Sequence, residues 1–386
     1  NILLLGNDGE ITEDGFFRTD TMIIVSINLQ TNTVSMLSLP RDLYVYIPGW
    51  TMQRLNLAFV HGESVGWTDG GFGLMRQTIF YNLGINVHYY AMVSLDGFRA
   101  IVDAVGGINL AVDCAIQDLP LIGAEVPRDA VRVTEDGEYA LPVGYYAMNG
   151  AEALWYARSR GNSSDFDRGR RQQQVLRGVW RQARDNGLLS SLPSLWAESQ
   201  QYIQTNLTLD DLIPLIPLAA NLNPNQIESY TFNRLYHTTP WTPPDGSNVQ
   251  LPNPDQVREL MIEFYSPATE SQTANEAATV FVYNGTNIPN LDLVAAERLN
   301  WEGIAAVPMG SAETTDYINT VLIDYTGRSK ASSLGDIVGT LNIVGENIRV
   351  EPSPTRESDF VVILGETYNS CTEGGVLPVE MPPAGG

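Results

Sequence analysis

A chain of 386 residues, 44% apolar and 9% aromatic, is long enough for two or three domains with buried cores. Its 45 acidic residues against 22 basic ones leave a net charge of −23. That balance excludes nonspecific nucleic-acid binding and a polybasic patch on anionic lipid, which both need a basic surface.

The opening apolar run, 2–5, predicts a short strand ending at Gly6. It begins without Met or lead-in, so a targeting or anchoring segment is expected outside this sequence. Residues 21–27 and 34–38 predict two more strands, joined by the polar turn 28–33. Helical spacing follows at 73–83, then a strand at 89–93 and a helix at 95–105 stopped by Gly106-Gly107. Strands alternating with helices point to an α/β domain. Asn149 is an N-cap residue before a helix, NGAEALWYAR, and a second helix is expected over 168–184. Weaker helical segments extend to about residue 265. The most apolar stretch, 212–222, is broken by Pro214 and Pro217, so nothing in the sequence predicts a membrane span.

Residues 1–265 therefore read as one unit, and the small polar residues 266–277 (SPATESQTANEA) as a linker. A second small α/β unit is expected over 278–367, with strands at 279–283, 320–323 and 360–364 and helices at 291–301 and 332–341. The Gly- and Pro-rich residues 368–386 read as a tail. Cys114 and Cys371 have no metal-type spacing, and His61, His88 and His237 are scattered. A disulfide fits an oxidising compartment; two free thiols fit the same count.

Lys330 is the only lysine, and eight arginines lie between Arg158 and Arg184. Four charged segments stand beside strand ends or helix starts, where α/β folds bind ligands. They are Asp8; the RTD of Arg18 to Asp20; the LPRD ending in Arg41 and Asp42; and ARSRGNSSDFDRGRRQQQ, residues 157–174. Guanidinium forks converging on one point suit a diphosphate. Carboxylates among them make sense if a divalent cation bridges them to phosphate. Taken singly, an Arg-rich helix is more often a solvated face, and an Arg-Asp neighbour pair a loop anchor.

In combination, the strings LLLGND, FRTDTMIIVSIN, SLPRDLYVYIP, RLNLAFVHG, VSLDGFRAIVDAVGGI, MNGAEALWYARSR and SDFDRGRRQQQVL run in order through residues 1–265. They resemble the LytR–CpsA–Psr (LCP) family of cell-wall glycopolymer transferases. The resemblance implies a mixed α/β sheet sandwiched by helices, with an apolar tunnel for a prenyl tail. It implies Mg²⁺ or another divalent cation held by Asp8 and Asp20. Pyrophosphate binding falls on Arg18, Arg41, Arg158, Arg160, Arg168, Arg171 and Gln172. Catalytic roles fall on Arg18, Arg41, Asp42, Arg158 and Arg160. Phe80, Tyr89, Tyr90, Met92, Phe98, Ile101 and Val102 are candidates for the tunnel. Three positions depart from the family pattern: Ser163 replaces an acid, Asp167 a Gly, and Arg54 a Lys. Residues from VFVYNGTNIPN onward resemble the family's accessory C-terminal domain.

The implied partners are a polyprenyl-pyrophosphate-linked glycopolymer and a peptidoglycan acceptor, outside the cytoplasmic membrane, with an N-terminal anchor holding the protein there. Nucleic acid is not among them. The same residues would serve a pyrophosphatase using water, and a non-catalytic polyprenyl-phosphate-binding module remains a third reading.

Overall fold

The computed structural model describes residues 1–11, 17–191, 193, 196–197, 200–266, 276–371 and 379; the side chains of 8–11 and 17–18 lie outside the description. Most of the expected linker and tail also lies outside the described residues.

Apolar residues two apart in a strand share one face of a sheet. Along Ile2–Ile11, Leu3 and Leu5 point one way, and antiparallel pairing with Phe17–Asn28 sets Leu3 opposite Ile24 and Leu5 opposite Met22. Ile24 in turn lies opposite Leu37 of Thr33–Ser38. These side chains are buried with Phe59, Phe72, Leu74, Met75, Ile79 and Phe264, from helices Leu57–Ser64, Gly70–Leu83 and Pro254–Tyr265. On the opposite face, Ile23 and Met36 pack with Leu176 and Trp180 of the helix Asp165–Asp185. The result is a six-stranded mixed sheet between helices, in the order Ile203–Thr205, Tyr89–Val93, Ile2–Ile11, Phe17–Asn28, Thr33–Ser38, Ile227–Thr231. A further core surrounds Leu95–Ala104, Gly150–Arg158 and the paired strands Ile108–Val112 and Gly144–Met148.

Strand Tyr89–Val93 and helix Leu291–Trp301 have the expected bounds. The helix expected at 168 starts at Asp165 instead, because Ser164 and Asp167 form a capping box: the Asp167 carboxylate accepts from the Ser164 N–H at 3.1 Å. The strands Ile203–Thr205 and Ile227–Thr231 fall where helical segments were expected. Both are short sheet edges with few buried residues, so no alternation announces them.

A five-stranded sheet follows, in the order Ala305–Ser311, Thr279–Asn284, Phe360–Leu364, Val321–Asp324, Ile348–Val350. Val280, Val282, Leu322, Phe360 and Val362 bury one face against Val294, Ala295 and Leu299 of Leu291–Trp301 and Ile337 of Ala331–Thr340. Its two edge strands were not apparent in the sequence, since most of their side chains are exposed or half-buried.

The second sheet's helix docks on Asp165–Asp185 through charge and aromatic faces. The buried Asp113 carboxylate accepts from both terminal nitrogens of Arg170 and lies 3.7 Å from Arg298 Nε. Arg177 and Arg170 stand over the Trp301 ring, at 4.4 and 5.4 Å from its centroid. Arg181 pairs with Glu297. Beside this junction Cys114 and Cys371 form a disulfide, with Cα atoms 5.1 Å apart, which decides between the two readings of the cysteine count. Closing a loop of that length contributes about 5–6 kcal/mol in a chain-entropy account, before any strain. Denatured protein is expected to show no titratable thiol until reductant is added; two thiols without reductant would contradict the bridge.

Candidate active site

Two connections and one helix face bring the charged segments together. Asp20 lies on Phe17–Asn28, and Arg41 and Asp42 follow Thr33–Ser38. Arg158 ends the helix Gly150–Arg158, and Arg160 stands in the connection that follows. Asp165, Arg168 and Gln172, three and four residues apart, share one face of Asp165–Asp185.

Arg41 is the hub. Its Nη1 donates to Asp20 Oδ2 at 3.2 Å and its Nε to Asp165 Oδ2 at 3.2 Å, with Asp42 Oδ2 at 3.5 Å. Asp165 also takes Arg160 at 3.2 Å and Arg168 at 3.5 Å. Arg54 reaches Asp42 at 3.7 Å, and Asn56 Nδ2 donates to the second Asp20 oxygen at 3.3 Å. Arg158 Nη1 donates to the Ile122 carbonyl at 2.7 Å. Gln172 Nε2 donates to Thr21 Oγ1 at 2.9 Å. The Asp118 carboxylate accepts from the Arg160 N–H at 2.6 Å and the Gly161 N–H at 3.3 Å, fixing the connection that carries Arg160.

These contacts set the protonation states apart. Burial would raise the Asp165 carboxyl, but Arg168, Arg41 and Arg160 outweigh it and hold the group below its ordinary range. Asp42 goes the other way: burial, helped by the negative charges of Asp165 and Asp20, raises it despite Arg41 and Arg54. Burial, with Arg41 and Arg160 nearby, draws the Arg168 guanidinium down to about 10 even though Asp165 opposes it.

All of these side chains line one cavity of about 890 Å³. Arg41, Arg54, Arg158, Arg160 and Arg168 stand with Asp20, Asp42, Asp118 and Asp165 on its polar side. Leu4, Ile23, Val93, Leu95, Phe98, Leu121, Leu154 and Leu176 form an apolar wall. A charged side continuous with an apolar one matches the division of an amphiphilic ligand.

A family model described as the LytR_cpsA_psr family matches residues 1–261. The chain belongs to the LytR_cpsA_psr family. A curated relative, the polyisoprenyl-teichoic acid–peptidoglycan teichoic acid transferase TagU of Oceanobacillus iheyensis, is 31% identical over 245 residues, covering 61% of this chain and 70% of the relative. The protein of the same name from Bacillus subtilis is 29% identical over 215 residues, covering 55% of this chain and 61% of that one. Among solved structures, one described as TagT bound to LI-WTA superposes with a TM-score of 0.52 at 26% identity, covering 68% of this chain and 88% of that chain.

Of the residues the LytR_cpsA_psr resemblance singled out, Asp20, Arg41, Asp42, Arg158, Arg160, Arg168 and Gln172 meet around this cavity. The side chains of Asp8 and Arg18 lie outside the described residues; the backbone of Asn7, next to Asp8, pairs with Thr19, next to Asp20. Arg171 is a correction. It is 2% exposed, and its guanidinium donates to the Tyr156 carbonyl at 3.1 Å, to Ser163 Oγ at 3.1 Å and to the Ser159 carbonyl. It braces the turn between the two helices and does not line the cavity, because those three contacts hold its guanidinium in the turn. The partner Ser163 is the residue that replaces the family's acid.

The tunnel candidates are also corrected, since only Phe98 lines the cavity. Tyr90 stacks on Phe72 at 4.7 Å, Met92 and Val102 are core, Tyr89 donates to Asp211, and Phe80 is exposed. Strand alternation is the reason: Tyr90 and Met92 share the face of Leu3 and Leu5, whereas Val93 lies with Leu4 on the other. Asn56, Asp118 and the hub role of Asp165 were missed. Asn56 lies two residues beyond Arg54 in RLNLAF, a string that could have pointed to it; nothing near Asp118 in sequence does so.

Proposed function

We propose that the protein transfers a glycopolymer from a polyprenyl-pyrophosphate carrier to a peptidoglycan hydroxyl. One observation carries this reading: a single cavity sets five guanidinium groups beside an apolar wall, as a diphosphate on a prenyl chain requires. The names of the TagU relatives support the same donor and acceptor classes.

In the reaction, the acceptor hydroxyl attacks the phosphorus that bears the glycan. The bond from that phosphorus to the bridging oxygen breaks, and polyprenyl phosphate leaves with its charge held by Arg158, Arg160 and Arg168. Asp42, with its raised carboxyl and its place on the cavity's polar side, takes the hydroxyl proton. Asp165 keeps Arg41, Arg160 and Arg168 aimed at one point, so their charge is preorganised. The donor chemistry suits Mg²⁺ or another divalent cation: Asp20, with Asp8, would hold it, alongside phosphate oxygens. When bound, such an ion withdraws charge from the phosphates. Among the described residues no group of three or more His, Cys, Asp or Glu could hold a metal ion.

We also place the protein outside the cytoplasmic membrane, where its acceptor is and where the disulfide fits. Among the described residues no helix is long and apolar enough to cross a membrane. The second sheet, an accessory unit in this reading, steadies Asp165–Asp185 from behind.

The decisive experiment supplies a lipid-pyrophosphate-linked glycan with a peptidoglycan oligosaccharide. Covalent conjugate with release of polyprenyl phosphate is expected; hydrolysis products without conjugate would favour the pyrophosphatase. Chelation with EDTA is expected to lower transfer and added Mg²⁺ to restore it; full activity in the chelator would remove the metal from the reading. The pH dependence has a defined sign. A base with a raised pKa is active only when deprotonated, so kcat/KM should rise with pH through an acid limb above the usual aspartate value of roughly 3.9. Asp42→Asn should abolish that limb with most of the rate.

A further inference from the structure

Two hairpins stand together beside the cavity, which Arg54 of the first one lines. Tyr44–Tyr46 pairs with Met52–Arg54, with Tyr44 opposite Arg54 and Tyr46 opposite Met52. Those four side chains share one face, while Val45 turns into the core. Thr238–Trp241 pairs with Val249–Pro252, and the Gln250 N–H donates to the Asp42 carbonyl at 2.9 Å, tying this hairpin to the candidate base.

Trp241 meets Tyr44 edge to face, with ring centroids 5.4 Å apart, and Tyr46 lies 5.2 Å from Tyr81 of Gly70–Leu83. Trp241, Tyr46 and Tyr81 are 41%, 36% and 65% exposed. At one end of this strip Arg54 lines the cavity and pairs with Asp42. Rings left in water beside a charged site cost free energy and add little to the core, so they point to a ligand with apolar faces and polar edges. Saccharides have that character: their axial C–H faces lie on aromatic rings while their hydroxyls meet charged groups. Protein interfaces also use such rings, so what favours a substrate here is continuity with the cavity through Arg54 and Asp42. The strip joins the cavity at Asp42 and Arg54, where the attacking hydroxyl must arrive. The lipid-linked donor is accounted for by the apolar wall.

We infer that Trp241, Tyr44, Tyr46 and Tyr81 form the acceptor subsite, on which an N-acetylhexosamine glycan chain lies to deliver its hydroxyl to Asp42. This deepens the transferase reading and rests on it. The test is titration of the full chain with chitin hexasaccharide, followed by intrinsic tryptophan fluorescence and NMR, beside the same protein carrying Trp241→Ala, Tyr46→Ala or both. Saturable binding is expected, weakened about fivefold for each ring removed, with the melting temperature retained because both side chains are exposed. Parallel titration with polyprenyl pyrophosphate should give unchanged affinity in the variants. Absence of hexasaccharide binding, equal binding by all four proteins, or weakening confined to the lipid would each overturn the subsite. Failure of the transferase reading shows separately, as absence of conjugate from the unsubstituted protein.

Discussion

Replacing Arg160 with alanine is expected to lower transfer about a hundred- to thousandfold, the usual loss when one preorganised donor to a developing anion is removed. The side chain is half exposed, stands on the cavity and makes one ion pair, to Asp165. The Asp118 contacts to the backbone of residues 160 and 161 survive the substitution, so the connection keeps its course. The melting temperature should therefore stay within a degree or two, surface pairs contributing about 1 kcal/mol or less. Single-turnover kinetics with a lipid-pyrophosphate donor would test this. Full activity would mean that the cavity does not hold the diphosphate as assigned. Arg171→Ala should behave in the opposite manner, losing stability first, because its guanidinium is committed to holding the two helices together.

Asp113→Ala should destabilise the protein by about 3–5 kcal/mol, since it leaves the buried Arg170 without its bonded carboxylate, while Arg298 keeps Glu302. Burial by itself would raise the Asp113 carboxyl, but Arg170 and Arg298 more than offset that and hold it below the ordinary range. The sign of the pH dependence follows. A carboxylate depressed on folding contributes stability that is fully present above its unfolded pKa, roughly 3.9, and is lost as pH falls through the folded value. Urea unfolding of the two proteins should then differ near neutral pH and converge in acid. Equal stability at neutral pH would show that the junction holds without this pair. Because Arg170 shares its helix with Arg168, a drop in transfer accompanying the stability loss would link the second sheet to the site; the two guanidinium groups lie on different faces of Asp165–Asp185.

The sequence by itself determined the α/β class, the strand Tyr89–Val93, the helix Leu291–Trp301 and most of the charged residues around the cavity. Long apolar runs with a clear period, and charged residues placed just past strand ends, are local signals, and local signals survive in one dimension. The tertiary structure decided how the arginines of one helix are divided. Arg168 faces the cavity, Arg171 braces a turn, and Arg170, Arg177 and Arg181 face Trp301, Asp113 and Glu297 of the junction. Each residue turns the helix by about 100°, so adjacent positions of like chemistry reach different neighbours, and those neighbours come from distant parts of the chain. The same holds for the disulfide, whose partners are 257 residues apart, and for Asp118, which reaches the site only because a loop folds under Arg160. Composition records which groups exist; only packing decides which of them meet.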